Sequence, residues 1–465
     1  MPLFMPETWP FSLDLLPKDA YLVGGSVRDR LLLSLHSFDR QPAYLDLDFV
    51  IPHRALETAA AIAKAYRAGF VVLDEARQIG RVVFDRVTVD FAQQQGDCLA
   101  HDLGRRDFTI NAIAYSPHQQ VIVDPLGGEA DIRSQIMQMV SYENLKADPL
   151  RLLRGYRQSA QLGFTLAPDT QAAIKALAPT LRNVSAERVR SELDALLSVD
   201  AASVDAASEP RSLIRSELES EQRSDQMFNQ SSAQRHVVRQ SGLKELLESL
   251  LQSQLLQFYL PHFNEKSLLR LVSIDSALAR LKRLMPGYAQ TLYGWYKLVP
   301  AGSYRSWIKV AKLSCLVSAD PAIAQFELNA LKYSRHEIQV VTVLLQSQGD
   351  IEAMQQGEFG RSRQFFLFKR VGKSFPALSL LALAQGVDLN LLQSMIAKFL
   401  DSKDLVAHSQ PLLTGHMLMR ELGIKPGPEM GAVLKSVEQA QAAGTICSES
   451  EAIAWAKSQH LGQSR

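Results

Sequence analysis

The sequence predicts an α+β fold, with a small mixed sheet in residues 1–140 and helices alone after it. Three observations predict it. Short apolar, β-prone runs separated by polar turns recur between Tyr21 and Val123. From Asp148 onward apolar residues return at helical spacing. Beyond residue 240 no run reads as a strand. The 465 residues are too many for one core, so roughly two to four domains are expected. The expected divisions are 1–140, a helical segment 141–198, a polar and partly disordered insertion 199–240, and an all-helical 241–465.

Composition excludes several classes. Hydrophobic residues at 46% and charged ones at 21% are ordinary for a globular protein. No apolar run reaches the length of a membrane span, and Met1–Pro10 lacks the basic start and apolar core of a signal peptide. Three distant cysteines, Cys98, Cys315 and Cys447, give neither metal-ligand spacing nor a disulfide framework, which fits a reducing cytoplasm. The net charge of +1 leaves nucleic-acid binding to local patches.

The first element is Tyr21-Leu22-Val23, a short strand running into Gly24-Gly25-Ser26-Val27-Arg28-Asp29 and a helix to Leu35. Glycine allows close backbone approach, and a helix N-terminus offers free N–H groups to a phosphate. Ser26 adds a hydroxyl and Arg28 a charge; a plain strand-to-helix turn is the alternative. In Tyr44–Ile51 two aspartates, Asp46 and Asp48, stand at i and i+2 of an apolar strand, so both point to one face. Crowded like charges need a cation, and Mg²⁺ takes one or two carboxylates plus substrate phosphates. An edge strand with two solvated aspartates is the bland alternative.

A helix over 54–68 and strands at Phe70–Leu73, Gly80–Phe84 and Val87–Ala92 follow. Asp90 in the last of these is a third candidate carboxylate for the same metal site, or a loop cap. In Gly104-Arg105-Arg106-Asp107-Phe108-Thr109-Ile110-Asn111, the arginines suit phosphates, and Asp107 and Asn111 suit a ribose hydroxyl. Asp124-Pro125-Leu126-Gly127-Gly128 ends a strand in a turn or a hinge.

These four motifs, in this order, resemble the class II tRNA nucleotidyltransferase and bacterial poly(A) polymerase family. The resemblance covers roughly residues 20–198 strongly and 405–460 moderately. It implies a polymerase β-type head, a helical neck, body and tail, and a two-metal mechanism with Asp46 and Asp48 as the metal carboxylates. It also implies that Gly24, Gly25, Ser26, Arg28, Arg105, Arg106, Asp107 and Asn111 hold the nucleotide. Asp148-Pro149 opens the next helix, where Leu152, Leu153, Tyr156 and Ala160 form the core face. The family motif there is Glu-Asp-x-x-Arg, whose Asp and Arg select CTP or ATP; Asp148 and Arg151 match it, with Arg154 grouped beside them. Position 147 is Ala where the family has Glu. Glu187–Leu193 resembles the motif that packs under the base-reading helix.

In the helical remainder, nine Lys or Arg fall between Lys266 and Lys312 against one acid, Asp275, interleaved with aromatics. A second basic stretch is Arg361–Arg370. Lys282, Arg283, Lys297, Arg305, Lys309, Arg361, Arg363, Lys369 and Arg370 are the expected RNA contacts, while most of the aromatics are expected in the core. The expected activity is template-independent addition of all or part of CCA to the tRNA 3′ end from CTP and/or ATP. Poly(A) polymerase activity and a non-catalytic RNA-binding protein are the alternatives. Only twelve residues, Gln93 to Gly104, separate Asp90-Phe91-Ala92 from the double arginine. Complete CCA-adding relatives commonly carry a longer flexible segment there, so addition of CC or of A alone is an expected outcome.

Overall fold

The computed structural model describes residues 4, 6–35, 45–85, 87–199, 243–295 and 305–463. The expected insertion, save Val199, and Lys297 lie outside them. The chain divides into two compact units, Met1–Phe258 and Tyr259–Arg465. Residues 243–252, expected with the later helices, form a helix that belongs to the first unit.

The first unit is built on a seven-stranded sheet of order β3-β4-β5-β2-β1-β6-β7. The strands are β1 (Tyr21–Val23), β2 (Leu45–Ile51), β3 (Gly69–Asp74), β4 (Ile79–Val83), β5 (Val87–Gln93), β6 (Ala114–Ser116) and β7 (Val121–Val123). β2 and β5 run parallel and every other pair antiparallel, so the sheet is mixed as expected. Alternation along β2 sends Leu47, Phe49 and Ile51 into the core. There Phe49 stacks on Phe91 at 5.5 Å and takes Trp9 edge-on at 5.2 Å. On the other face Val50 joins Val23, Leu103, Ala112 and Ala114 in a small cluster that closes one end of the strand and leaves the aspartate end open.

Helices α1 (Gly25–Leu35), α2 (Ala55–Tyr66), α3 (Leu99–Leu103) and α4 (Gly128–Ser134) attend the sheet. The Asp124–Gly128 motif is a turn: Asp124 caps α4 through the N–H groups of Gly128 and Glu129 at 2.9 and 2.8 Å. A Cβ at position 128 would sit 2.3 Å from the Thr109 carbonyl oxygen, so only glycine fits. After α5 (Tyr142–Ala147) comes α6 (Leu150–Leu162), for which Pro149 is the cap rather than the first helical residue. Leu152, Leu153, Tyr156 and Ala160 are buried as expected, and the Tyr156 hydroxyl lies 3.1 Å from Ser249 Oγ. α7 (Pro168–Leu177) and α8 (Ala186–Leu197) complete the bundle, and β8 (Ile136–Met137) pairs with β9 (Thr165–Leu166).

Among its described residues the second unit is helical throughout. The helix Glu265–Leu284 starts at Asn264, whose side chain accepts the N–H groups of Lys266 and Ser267. The helix Arg335–Gln346 starts in a capping box between Ser334 and Glu337. Tyr288 and Trp307 are core residues, as the bland reading of the aromatics expects. Among the described residues no helix is long and apolar enough to cross a membrane.

Two lysines are buried in this core. Lys309 pairs with Glu337, and Lys312 with Asp275 at 2.7 Å, all four side chains being almost wholly enclosed. Burial alone would push the Glu337 carboxyl up, but Lys309 and Ser334 hold it below its ordinary value. Lys309 is therefore a structural cation; the expectation that it contacts RNA is corrected. Lys309→Met leaves Glu337 buried and unpaired, at a cost of about 3–5 kcal/mol. Lys309→Met combined with Glu337→Gln, which keeps the cap on Ser334, is expected to recover most of it in urea unfolding. A single variant as stable as wild type would show that the pair contributes nothing.

Candidate active site

The parallel register of β2 and β5 sets Asp48 beside Asp90 and Asp46 beside Thr88. Asp46, Asp48 and Asp90 thus share one face, but they are not equivalent. Arg81 on β4 stands opposite Asp90, and its Nε and Nη2 each donate to a carboxylate oxygen at 2.7 Å. Asp90, the expected third metal carboxylate, is thereby engaged by an arginine, unlike Asp46 and Asp48. Among the described residues no three His, Cys, Asp or Glu side chains converge as a metal cluster. Asp46 accepts a hydrogen bond from Thr88 Oγ1. Asp48 is exposed to solvent on this face, beside Asp46 and Asp90. Desolvation pushes its carboxyl up to about 6; Asp90 and Asp46 add repulsion, and Arg106 and Arg81 oppose it. Two crowded, oxygen-only donors with an excess of negative charge fit a divalent cation bound partly by substrate phosphates.

The phosphate turn adjoins this face. Gly24 has φ +76°, a conformation that favours glycine, and a Cβ there would lie 3.2 Å from Arg106 Nη1. Gly25 begins α1, and the Ser26 hydroxyl donates to the Val23 carbonyl at 3.3 Å. Arg28 Nη1 donates to Asn111 Oδ1 at 2.7 Å. Asn111 in turn donates through Nδ2 to Asp107 Oδ1 at 3.0 Å and to Gln158 Oε1 at 2.9 Å. Asp107 also faces Arg154 Nε at 3.2 Å as an ion pair. The expected residues Arg28, Asp107, Asn111 and Arg154 are thus brought into one network, joined by Gln158, which the sequence reading missed. The Arg105 side chain is exposed and stands apart from it.

Asp148 and Arg151 lie at the start of α6 but do not pair with each other through their side chains. Asp148 binds Arg188 of α8 at 3.1 and 3.3 Å. Arg151 Nη1 donates to the carbonyls of Arg105 at 2.8 Å and Asn144 at 3.2 Å. Burial pulls the Arg151 guanidinium below its ordinary value, with Asp107 and Asp148 acting the other way. Arg157 pairs with Glu192, so two ion pairs tie α8 to the α6 region. Ala147 is exposed at the end of α5.

In the second unit Arg283, Arg305, Arg361 and Arg363 are exposed. Lys282 lies over the Tyr293 ring at 5.3 Å. Lys369 and Arg370 are exposed but ion-paired, with Glu438 and Asp350.

Residues 20–138 match the poly A polymerase head domain, residues 163–204 the RNA- and SrmB-binding site of polymerase A, and residues 305–456 tRNA nucleotidyltransferase domain 2. The CC-adding tRNA nucleotidyltransferase of Synechocystis is 41% identical over 98% of this chain and 96% of its own. The chain belongs to the class II tRNA nucleotidyltransferase family. The A-adding tRNA nucleotidyltransferase of Deinococcus radiodurans is 30% identical over 94% of this chain and 95% of its own. A solved CCA-adding enzyme with ATP shares the fold, with a TM-score of 0.63 and 20% identity over 95% of this chain and 91% of its own. In this tRNA nucleotidyltransferase, the sheet face, the phosphate turn and the start of α6 together form the candidate active site.

The Asp48 carboxyl titrates near 6 when folded and near 3.8 when free. The folded state therefore holds the extra proton between those values, and stability falls as pH rises through about 6. Asp48→Asn removes that penalty. The metal-free variant is expected to melt a few degrees above wild type at pH 8, the gap closing toward pH 4. An equal or lower melting temperature at pH 8 would contradict the crowding read from the register.

Proposed function

We propose that this tRNA nucleotidyltransferase adds the two C residues of the 3′ CCA end from CTP, releasing pyrophosphate, and leaves the A to a second enzyme. The observation that carries this reading is the short, tied connection 93–104. Gln94 N–H donates to the Ile51 carbonyl at 2.8 Å, and Gln95 N–H to Asp102 at 2.9 Å. Little free chain is left to move the base-reading helix between two bases. The higher identity to a CC-adding than to an A-adding relative, each along nearly the full length, supports it.

The residues divide the work. The N–H groups at the start of α1, with Arg28 and Arg106, cradle the triphosphate. Asp107 and Asn111 position the ribose. Asp148 accepts from the cytosine amine, and Arg151 donates to its ring acceptors, so the base is read without a template. Mg²⁺ ions, two in this reading, would be held by Asp46 and Asp48 and supply positive charge for the attacking 3′-hydroxyl and the leaving pyrophosphate. Arg81 keeps Asp90 out of that pair. Arg283, Arg305, Arg361 and Arg363 meet the RNA backbone. A cytoplasmic location belongs to this reading, and the bacterial tRNA-processing relatives support it.

The test supplies CTP and ATP to tRNA lacking its CCA end and, separately, to tRNA ending in CC. Arrest after CC on the first and no extension of the second are expected. Full CCA would overturn partial addition, and long A-tails on unrelated RNA would point to a poly(A) polymerase. Asp46→Asn is expected to abolish incorporation with the fold intact. Arg151→Ala is expected to flatten the preference for CTP by about tenfold while triphosphate affinity changes little. Preference unchanged with affinity lost would show that Arg151 does not read the base.

A further inference from the structure

Asp102 has no part in the chemistry described so far, yet it is only 8% exposed and stands at a junction. Its Oδ1 accepts the backbone N–H of Gln95 at 2.9 Å. Its Oδ2 lies 3.4 Å from Arg106 Nη2. Arg106 Nη1 in turn occupies the space beside Gly24, 3.2 Å from where a Cβ would stand, and lies 3.5 Å from the Asn111 carbonyl. One carboxylate therefore joins the short connection to the arginine that flanks the phosphate turn. The neighbouring backbone is held from the other side, where Asn144 Nδ2 donates to the carbonyls of Gly104 and Arg106, each at 2.8 Å.

We infer that Asp102 is a positioning residue for the nucleotide: it couples the fixed connection to Arg106 and so sets where the triphosphate is gripped. An arginine tethered by a buried carboxylate presents its donors in one orientation, which lowers the ordering cost of binding an anion. Asp102 is buried and Arg106 half-buried, so the pair is less screened than one on the surface. Asp102 sits on α3 and in the connection itself, so shortening that connection and fixing Arg106 are one structural event. The inference rests on the nucleotidyltransferase reading but not on where addition stops.

The test uses the full-length protein and the first nucleotide that wild type adds. Asp102→Asn keeps an acceptor for Gln95 N–H but removes the charge facing Arg106. It is expected to raise both the KM and the directly measured Kd for CTP about tenfold, with kcat within about twofold. Asp102→Ala also frees Gln95 and is expected to weaken CTP further. A purely structural role would instead lower the melting temperature and the active fraction, reducing kcat at constant KM. Unchanged KM and Kd in Asp102→Asn, or that constant-KM pattern, would overturn the inference. The primer assay decides separately whether wild type stops at CC, so the two readings fail independently.

Discussion

Repulsion among the carboxylates on one face of β2 and β5 is the constraint on which the rest of the first unit depends. The parallel register leaves no freedom: Asp48 faces Asp90, with Asp46 one alternation away. The sheet answers with different partners for different acids. Arg81 neutralises Asp90 through two hydrogen bonds, whereas Asp46 meets only a hydroxyl donor, Thr88, among the contacts described. Asp48 keeps the discomfort, its carboxyl pushed up to about 6. A strand that tolerates this cost without a ligand is poised to gain when positive charge arrives.

A second constraint follows from burial. Asp107 and Asn111 are nearly enclosed, so each polar atom needs a partner. Asn111 meets this with Arg28 on its oxygen and Asp107 and Gln158 on its nitrogen. The network therefore runs from the phosphate turn on α1 to α6. A satisfied buried network specifies one arrangement, because any shift of one member strands another. Through it α1 and α6, the proposed triphosphate grip and base-reading helix, hold a fixed spacing.

Much of this was legible in the sequence because it is local. Period two in β2 put both aspartates on one face, and the core face of α6 followed from helical spacing. What stayed hidden depends on pairing across distance. That Arg81 stands opposite Asp90 requires the register of β4 against β5, which a single strand does not disclose. Lys309 lies in a basic stretch and reads as a surface cation; only the packing of the helix Arg335–Gln346 shows Glu337 waiting for it. Asp148 and Arg151 stand three residues apart, which shows that they are neighbours but not what holds them: Arg188 holds the acid and two carbonyls the arginine. The two-residue strands β8 and β9 carry too short a pattern to be seen.

In the proposed reading, choice of base follows from how these anchors add. To offer one edge pattern to cytosine, a pocket needs its donors and acceptors fixed; to serve cytosine and then adenine, it needs two arrangements of similar free energy. Each anchor that favours one arrangement widens the gap, and about 1.4 kcal/mol is a tenfold change in population. Here Arg151 is held by the carbonyls of Arg105 and Asn144, and Asn144 holds those of Gly104 and Arg106. Asp148 is held by Arg188. Through Asn144 these contacts link the proposed base-reading Arg151 to Gly104, the end of the connection that is short and tied. A second arrangement would have to break several of them together, with no long segment to compensate. On the proposed reading, single-base selection needs no dedicated residue for rejecting ATP; it follows from the cost of breaking these contacts together.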